Sequence, residues 1–121
     1  MRWVILFFCL GQAAWAEPPD RQCNTGTWGR SWCVRDAHVV FDTCHALQDA
    51  ARLHRLDLGF FTRLIWQESR FDAFALSPVG AQGIAQFMPQ TAKLRGLGDA
   101  FNPAEALDHS AQYLAELVSR F

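Results

Sequence analysis

The feature that most constrains the fold is a stretch interrupted by glycine and proline in the middle of the chain. Residues 77–89 read SPVGAQGIAQFMP, with glycines at 80 and 83 and prolines at 78 and 89. Proline removes a backbone donor and pushes the residue before it toward extended geometry, while glycine permits tight turns or the close approach of another group. We therefore expect a loop here, with short helices on either side of it.

Before this loop, the first helix is predicted over residues 37–56. Five residues recur there at the spacing of one helix face: Val40, Cys44, Leu47, Ala51 and His54. We expect this stripe to be buried, with His54 as a packing residue and not a ligand. His38 and His45 lie off the stripe and are expected in solvent.

A second helix is predicted over residues 60–69, after a break at 57–59. Its apolar side is formed by Phe61, Leu64 and Ile65. Glu68 follows these residues at i+7, i+4 and i+3, so its carboxylate shares the buried stripe. Burial disfavours the charged form and raises the pKa, which is how enzymes keep an acid protonated near neutral pH. The alternative is a glutamate that extends into solvent from the helix end, or one that pairs with Arg63 or Arg70.

Beyond the loop, two more helices are predicted. The run 84–88 is expected to form one or two helical turns, and Pro89 can then begin a helix that continues to about residue 94. Asn102 as N-cap, Pro103 at the first position and Glu105 at the third form a capping box for the last helix. Its predicted buried stripe consists of Leu107, Ala111, Leu114, Val118 and Phe121, with Tyr113 in the core and His109 in solvent.

No segment shows sustained strand alternation, so the predicted fold class is all-α. Residues 1–16 have the layout of a secretory signal peptide, with one charge, a short apolar run and small residues before cleavage after Ala16. The apolar run is too short to span a bilayer. A lipid anchor at Cys9 is the weaker alternative, because bulky residues precede it. The predicted organisation is a signal peptide at 1–16, a disulfide-tied linker at 17–36 and one domain at 37–121.

Charge and cysteine content narrow the function classes. Without the signal peptide the chain has ten basic and twelve acidic side chains and no basic stripe, which argues against nucleic-acid binding. In an oxidising compartment Cys23 and Cys33 would close a short loop. Cys44 either stays buried and free or has its partner in sequence that this chain does not contain. Cys44 and His45 lack the paired spacings of zinc sites, so no metal is predicted.

The loop and its flanks resemble the signature of the soluble lytic transglycosylases, whose catalytic domain has a goose-type lysozyme fold. The matching residues are Glu68-Ser69 and the run Ser-Pro-x-Gly-Ala-x-Gly-Ile-Ala-Gln-Phe-Met-Pro-x-Thr-Ala at 77–92. Asn102-Pro103 and Tyr113-Leu114 extend the resemblance, which covers about residues 40–121. The pair at 84–85 is Ile-Ala where many members carry Leu-Met, a mild departure.

The resemblance implies roles for four positions. Glu68 would be the single catalytic acid/base, the Ser77 hydroxyl would lie near that carboxylate, and Gln86 and Met88 would line the glycan cleft. Each of the last three also has a structural alternative. Ser77 could cap a turn, Gln86 could bridge loop carbonyls and Met88 could pack before the proline that follows it.

A single carboxylate suits a particular chemistry. Most glycosidases use two carboxylates, and the motif supplies one, because Asp72 falls after the helix break. In the family the glutamate protonates the glycosidic oxygen between N-acetylmuramic acid and N-acetylglucosamine and then deprotonates the 6-hydroxyl, which closes a 1,6-anhydro ring. The resemblance therefore implies peptidoglycan strands as substrate, no cofactor, and a periplasmic or extracellular location, with a cell-envelope machinery as a possible partner.

The family's Ala-Tyr-Asn-Ala-Gly-Pro type motif is not found in this sequence. We therefore expect residues 37–121 to be the N-terminal part of the domain, a lysozyme-like fold incomplete at its C-terminus, with reduced stability and low or no activity by itself. Two other functions stay open: a goose-type lysozyme-like hydrolase, and a non-catalytic cell-wall binding module.

Overall fold

The computed structural model describes residues 20–25 and 31–121, and the predicted signal peptide lies outside them. The elements are the strands β1 (Arg21–Thr25) and β2 (Ser31–Arg35), a 3-10 turn (Asp36–His38), and the helices α1 (Val39–Leu53), α2 (Leu58–Ser69), α3 (Pro89–Leu94) and α4 (Pro103–Arg120). The mostly helical class is confirmed. No helix of the described residues has both the length and the apolar character to cross a bilayer.

The prediction missed a β-hairpin within residues 17–36. Strands β1 and β2 pair antiparallel, with Cys23 opposite Cys33, and the predicted disulfide joins these two residues. The strands are short and largely polar, so they show no clear alternation of apolar residues. Val34 is buried against the helices, and Trp32 packs against the same cluster.

The hairpin is fastened to α4 by polar contacts. Asn24 Nδ2 donates to Asp108 Oδ2 at 3.2 Å, and Asn102 Nδ2 donates to the Cys23 carbonyl at 2.9 Å. The other carboxylate oxygen of Asp108 lies 2.7 Å from His54 Nε2. His54 is therefore a hydrogen-bonded packing residue, as predicted, and these bonds attach the described strands to the helices.

The predicted stripe of α1 was only half correct. Leu47 and Ala51 are buried, but Val40 is 75% exposed, and Cys44 is exposed and free rather than buried. The buried face is made largely of small side chains that let α1 lie close to α4: Thr43, Ala46, Ala50 and Ala51. Pattern reasoning followed the larger apolar residues and so placed the face about one position away.

An ion pair fixes the start of α1. Arg35 Nε donates to Asp42 Oδ2 at 2.8 Å and Arg35 Nη2 donates to Asp42 Oδ1 at 3.0 Å. The hydrogen bonds from this side chain lower the pKa of Asp42 to about 2. Asp42 is thus a buried polar residue with its partner supplied by β2.

Helix α2 begins earlier than predicted because Asp57 caps it. The Asp57 carboxylate accepts from Phe60 N at 2.7 Å, so the helix starts at Leu58 and not at Phe60. Phe61 and Ile65 are completely buried, as predicted. The helix ends at Arg70, whose φ of 54° is left-handed.

Residues 84–88 do not form the predicted helical turn. Gln82 and Phe87 exchange backbone hydrogen bonds of 2.9 and 3.0 Å around a tight turn at 83–86. Gly83 and Gln86 have φ values of 75° and 51°, which a right-handed helix cannot contain. Helix α3 then begins at Pro89, as predicted.

Helix α4 has the predicted cap but only half of the predicted capping box. Asn102 Oδ1 accepts from Ala104 N and Glu105 N, whereas the Glu105 carboxylate accepts from Gly98 N and does not reach back to Asn102. The prediction that His109 is solvated was also wrong, because His109 is partly buried and its Nδ1 is shielded from water.

The predicted stripe of α4 is buried only in its first half. Leu107 and Ala111 are completely buried, but Val118 and Phe121 are exposed. A main cluster joins β2, α1, α2 and α4, and a smaller one lies beneath the loop and α3, formed by Phe87, Ala92, Leu97 and Ala100. Tyr113 packs against the smaller cluster.

Candidate active site

The loop after α2 is held in shape by backbone contacts that require glycine. Gly83 N donates to the Ala75 carbonyl at 2.8 Å, and Ser77 N donates to the Ala81 carbonyl at 2.9 Å. A Cβ built on Gly83 would lie 1.8 Å from the Ala100 carbonyl oxygen. Only glycine fits this position, which brings the loop against the segment before α4.

A serine ties the end of α2 to the same loop. Ser69 Oγ donates to the Ile84 carbonyl at 2.6 Å. Because Ser69 follows Glu68 directly, this bond fixes the turn at 83–86 relative to the carboxylate. Ser69 is part of the motif, but no role was predicted for it. The available signal was a short hydroxyl at a helix end, where bonds to nearby backbone are common.

A cleft of about 330 Å³ lies between α2, the loop and α4. It brings together three of the four predicted site residues, Glu68, Gln86 and Met88. Its other lining residues are Leu64, Ala85, Phe87, Thr91, Ser110, Tyr113, Leu114 and Leu117. The cleft therefore combines one carboxylate with an amide, a thioether, hydroxyls and apolar walls, the mixture typical of ligand sites.

Glu68 is at the end of the apolar side of α2, but it is exposed to the cleft rather than buried as predicted. The surrounding apolar walls still remove part of its hydration, and this partial burial raises the pKa of the carboxyl. Among the described residues none forms an ion pair or side-chain hydrogen bond with Glu68, so the alternative pairing with Arg63 or Arg70 is not formed.

Gln86 lines the cleft and also supports the loop. Its Nε2 donates to the Ala75 carbonyl at 3.2 Å and to the Gly83 carbonyl at 2.9 Å. These two bonds use both amide hydrogens, so the side-chain carbonyl oxygen is the group left to contact a ligand. Met88 is half-exposed at the position before α3 and contributes its side chain to the cleft wall.

Ser77 is not among the residues that line the cleft. Its Oγ accepts from Ala81 N at 2.9 Å, and its carbonyl accepts from Gly80 N at 3.0 Å. The structural alternative, a turn cap, is therefore present. A direct contact of Ser77 with substrate stays a prediction.

The sequence profile of the family described as "Transglycosylase SLT domain" matches residues 45–121. The chain belongs to this family.

Curated relatives of this SLT domain have similar names. "Membrane-bound lytic murein transglycosylase F" of Desulfosudis oleivorans is 36% identical over 75 residues, which cover 62% of this chain and 16% of the relative. "Peptidoglycan transglycosylase gp16" of Escherichia phage T7 is 34% identical over 93 residues, or 71% of this chain and 7% of the relative. A transglycosylase F of Alkalilimnicola ehrlichii is 29% identical over 76 residues, or 63% and 15%. The chain thus spans only a small part of these relatives.

Sequence reasoning missed one prominent cleft residue of the SLT domain. Tyr113 was predicted to be core, yet it is only partly buried and lines the cleft with Glu68. Thr91 and Ser110 were also missed. Helical spacing placed Tyr113 beside the buried stripe, and only the position of the neighbouring loop shows that this side of α4 faces a cleft.

The SLT domain has a second and larger cavity, a groove of about 700 Å³ between α1 and α2. Apolar side chains dominate it, including Val40, Phe41 and Leu58, and Cys44 and Arg70 lie at its wall. None of its lining residues is an aspartate or glutamate, so it lacks the acid that glycoside cleavage needs. We therefore assign the chemistry to the smaller cleft. Within the described residues no three His, Cys, Asp or Glu side chains are grouped so that they could hold a metal ion.

Proposed function

We propose that this SLT domain is a peptidoglycan lytic transglycosylase that cleaves the β-1,4 bond between N-acetylmuramic acid and N-acetylglucosamine and forms 1,6-anhydro-N-acetylmuramic acid. The observation that carries the proposal is a single carboxylate with a raised pKa in a cleft that also holds Gln86 and Met88. The names of the relatives, which are murein and peptidoglycan transglycosylases, support the same substrate class.

In the proposed reaction Glu68 starts protonated, which its raised pKa favours. It donates that proton to the glycosidic oxygen as the bond from this oxygen to C1 of the muramic acid breaks. The acetamido group of the sugar stabilises the positive charge that develops at C1. The Glu68 carboxylate next accepts the proton of the 6-hydroxyl while O6 bonds to C1. The ring closes, Glu68 is protonated again and no water is consumed.

The cleft residues have proposed roles in holding the sugar for these steps. The side-chain oxygen of Gln86 can accept a hydrogen bond from a sugar hydroxyl or amide, because its N–H groups are already used by the loop. Met88 offers an apolar contact at the wall. Ser77 would act mainly through the loop that it caps. Such positioning lowers the barrier because the reacting groups are already oriented.

The site of action follows from the substrate. We propose that the protein is exported by the signal peptide at residues 1–16 and acts in the cell envelope. The Cys23–Cys33 disulfide is consistent with an oxidising compartment. N-terminal sequencing of protein recovered from the envelope should begin at Glu17, and a full-length N-terminus on cytoplasmic protein would contradict export.

The direct test is mass spectrometry of the fragments that the protein releases from purified peptidoglycan. We expect little release by residues 1–121 alone, but what the wild type releases should be muropeptides lighter by one water than hydrolysed ones, and Glu68→Gln is expected to give none. Asp72→Asn is the matched control, because Asp72 is a nearby carboxylate outside the cleft lining, and it should release the same products as the wild type.

Other outcomes point to the alternatives. Reducing-end products that depend on Glu68 would indicate a hydrolase. Peptidoglycan binding without any release, equal in the wild type and Glu68→Gln, would indicate a non-catalytic wall-binding module.

A further inference from the structure

An arginine from the end of α3 lies against the ring of Tyr113. Arg95 directly follows α3, and its guanidinium carbon lies 4.3 Å from the centroid of the Tyr113 ring. A guanidinium over an aromatic face is attracted by the negative potential of the ring. The side chain of Arg95 is only 19% exposed, so water screens this contact weakly. The ring is therefore fixed from one side, and it lines the cleft that Glu68 shares.

A carboxylate in turn holds the arginine. Arg95 Nη2 donates to Glu116 Oε1 at 2.8 Å, and this hydrogen bond is the main reason that the pKa of Glu116 is lowered. Glu116 is three residues after Tyr113 on α4, so both contacts of Arg95 lie on one side of that helix. The three side chains form a chain of contacts from the surface of α4 to the cleft wall.

The hydrogen-bond donors of Arg95 are only partly paired. Arg95 Nε is buried and has no hydrogen-bond partner among the described residues. A buried donor without an acceptor destabilises a fold. The orientation of the Arg95 guanidinium therefore does not satisfy all of its hydrogen-bond donors. The orientation of the guanidinium follows instead from its contacts with the ring and with Glu116.

The chemistry of the tyrosine suits a sugar. A phenol ring offers an apolar surface to the C–H face of a pyranose, and its hydroxyl can bond a sugar hydroxyl or acetamido group. Leu64, Leu114 and Leu117 line the same cleft as this ring and the proposed acid. The loop contributes Gln86 and Met88 to the lining.

We propose that Tyr113 is a glycan-binding residue of the cleft and that Arg95, held by Glu116, is the positioning residue that fixes the Tyr113 ring. This inference rests on the proposed function, since it takes a β-1,4-linked N-acetylhexosamine strand as the ligand. It goes further because it assigns Tyr113 of α4 to the binding surface of the cleft. It also assigns Arg95 a role that acts only through Tyr113.

The test measures binding separately from cleavage. All variants are made in the full chain with Glu68→Gln, so that no bond is broken, and the probe is the tetrasaccharide of β-1,4-linked N-acetylglucosamine. Tyr113 is the only tyrosine of the chain, so labelling with carbon-13 tyrosine gives one ring signal in NMR spectra. This signal is expected to shift on titration with the probe.

Three variants address the roles. Tyr113→Leu should weaken binding by about tenfold, because the ring contact is lost. Tyr113→Phe keeps the ring and should weaken binding less. Arg95→Met should change the ring signal before any probe is added and weaken binding by several-fold, and Arg95→Lys should restore part of it because the charge returns.

Arg120→Met is the matched control, because Arg120 is a basic residue near Glu116 on α4 that makes no contact with the ring. It should leave both the ring signal and the affinity unchanged. Wild-type affinity in Tyr113→Leu would overturn the binding role, and so would a ring signal that the probe does not move. Arg95→Met with normal affinity but a lower melting temperature would overturn the positioning role and leave a structural one.

The outcome separates this inference from the proposed function. If the probe binds and shifts the Tyr113 signal but the protein with Glu68 intact releases no anhydro product, the proposed reaction fails and the binding wall stands. If anhydro products form and depend on Glu68 but the Tyr113 variants bind and cleave normally, the reaction stands and this inference fails.

Discussion

Two cavities border α2, one on each side of its buried face, and the larger one is the poorer site for catalysis. Leu58 and Thr62 face the groove of about 700 Å³, whereas Leu64 and Glu68 face the cleft of about 330 Å³. Phe61 and Ile65, completely buried, separate the two rows. One twelve-residue helix therefore supplies a wall to both cavities, with the members of each row four residues apart.

The cleft and the groove differ in the chemistry of the residues that line them. The cleft has a carboxylate whose pKa is raised, an amide fixed by two loop carbonyls and a tyrosine under an arginine. The groove offers mainly apolar surface, including Phe41, which is 62% exposed. Volume alone would select the groove, but only the polar groups of the cleft can protonate an oxygen and orient a sugar.

The largest effect is expected where the loop beside the cleft packs against the Ala100 carbonyl. Gly83→Ala places a methyl group against the Ala100 carbonyl at a left-handed φ, so we expect a loss of at least about 3 kcal/mol in the free energy of unfolding. Gly96→Ala is the control, because Gly96 has a similar φ of 71° and open space around it, and it should lose only about 1 kcal/mol.

Urea denaturation measures both glycine variants. The labelling rate of Cys44, followed by peptide mapping, reports on the groove, and the Tyr113 ring signal reports on the cleft. If Gly83→Ala remains folded, the Tyr113 ring signal should change clearly, whereas the labelling rate of Cys44 should stay close to that of the wild type. Equal losses of stability in the two variants would contradict the role given to the Gly83–Ala100 contact.

A smaller effect is expected at the start of α1, which contributes Val39 and Val40 to the groove. The pKa of Asp42 is lowered to about 2 by Arg35, so its stabilisation is fully present above the unfolded pKa near 3.8 and is lost as pH falls toward 2. Asp42→Asn should be less stable than the wild type at neutral pH, and the difference should shrink on acidification. Thermal melting between pH 2 and 7 tests this, and a difference independent of pH would contradict it.

The carboxylate of the cleft should show the opposite sign. The pKa of Glu68 is raised, so the folded state binds its proton more tightly than the unfolded state does. Its stabilisation is therefore present below the unfolded pKa of about 4.5 and is lost as pH rises through the folded value. Glu68→Gln should remove this dependence, so the wild type should lose stability relative to the variant over that window. If the wild type instead gained stability relative to Glu68→Gln as the pH rises, the pKa of Glu68 would not be raised by its surroundings in the cleft.

The smallest effects are expected from polar substitutions on the groove wall. Val40→Ser and Phe41→Ser replace exposed side chains, so each should change the free energy of unfolding by no more than about 0.5 kcal/mol. Both should leave the Tyr113 ring signal and glycan binding unchanged. A loss of glycan binding in either variant would mean that the groove, and not only the cleft, contacts the strand.

The sequence was informative where one strong local signal decided the outcome. Asn102-Pro103 predicted the start of α4, Pro89 predicted the start of α3, and Glu68 with the run after it predicted three residues that do meet in the cleft. In these places capping geometry, the ring of proline or a dense motif acts within a few residues.

The sequence was misleading where the burial or position of a residue depends on contacts with residues far along the chain. The buried face of α1 is set by alanines that allow α4 to come close, and these weigh little in an apolar pattern. Strands β1 and β2 are polar because each has only one side against the helices. The proposed orientation of Tyr113 depends on Arg95, which directly follows α3. No local periodicity contains that information.

The hairpin also bears on the order in which the chain can fold during synthesis. Its two polar attachments to α4, Asn24 with Asp108 and Asn102 with Cys23, join residues that are 84 and 79 positions apart. Pairings this distant require closure of a long loop and form late. A ribosome makes the hairpin well before it makes the helix that receives it. Once the chain reaches an oxidising compartment, the disulfide can preserve the hairpin as a preformed unit until it docks on α4.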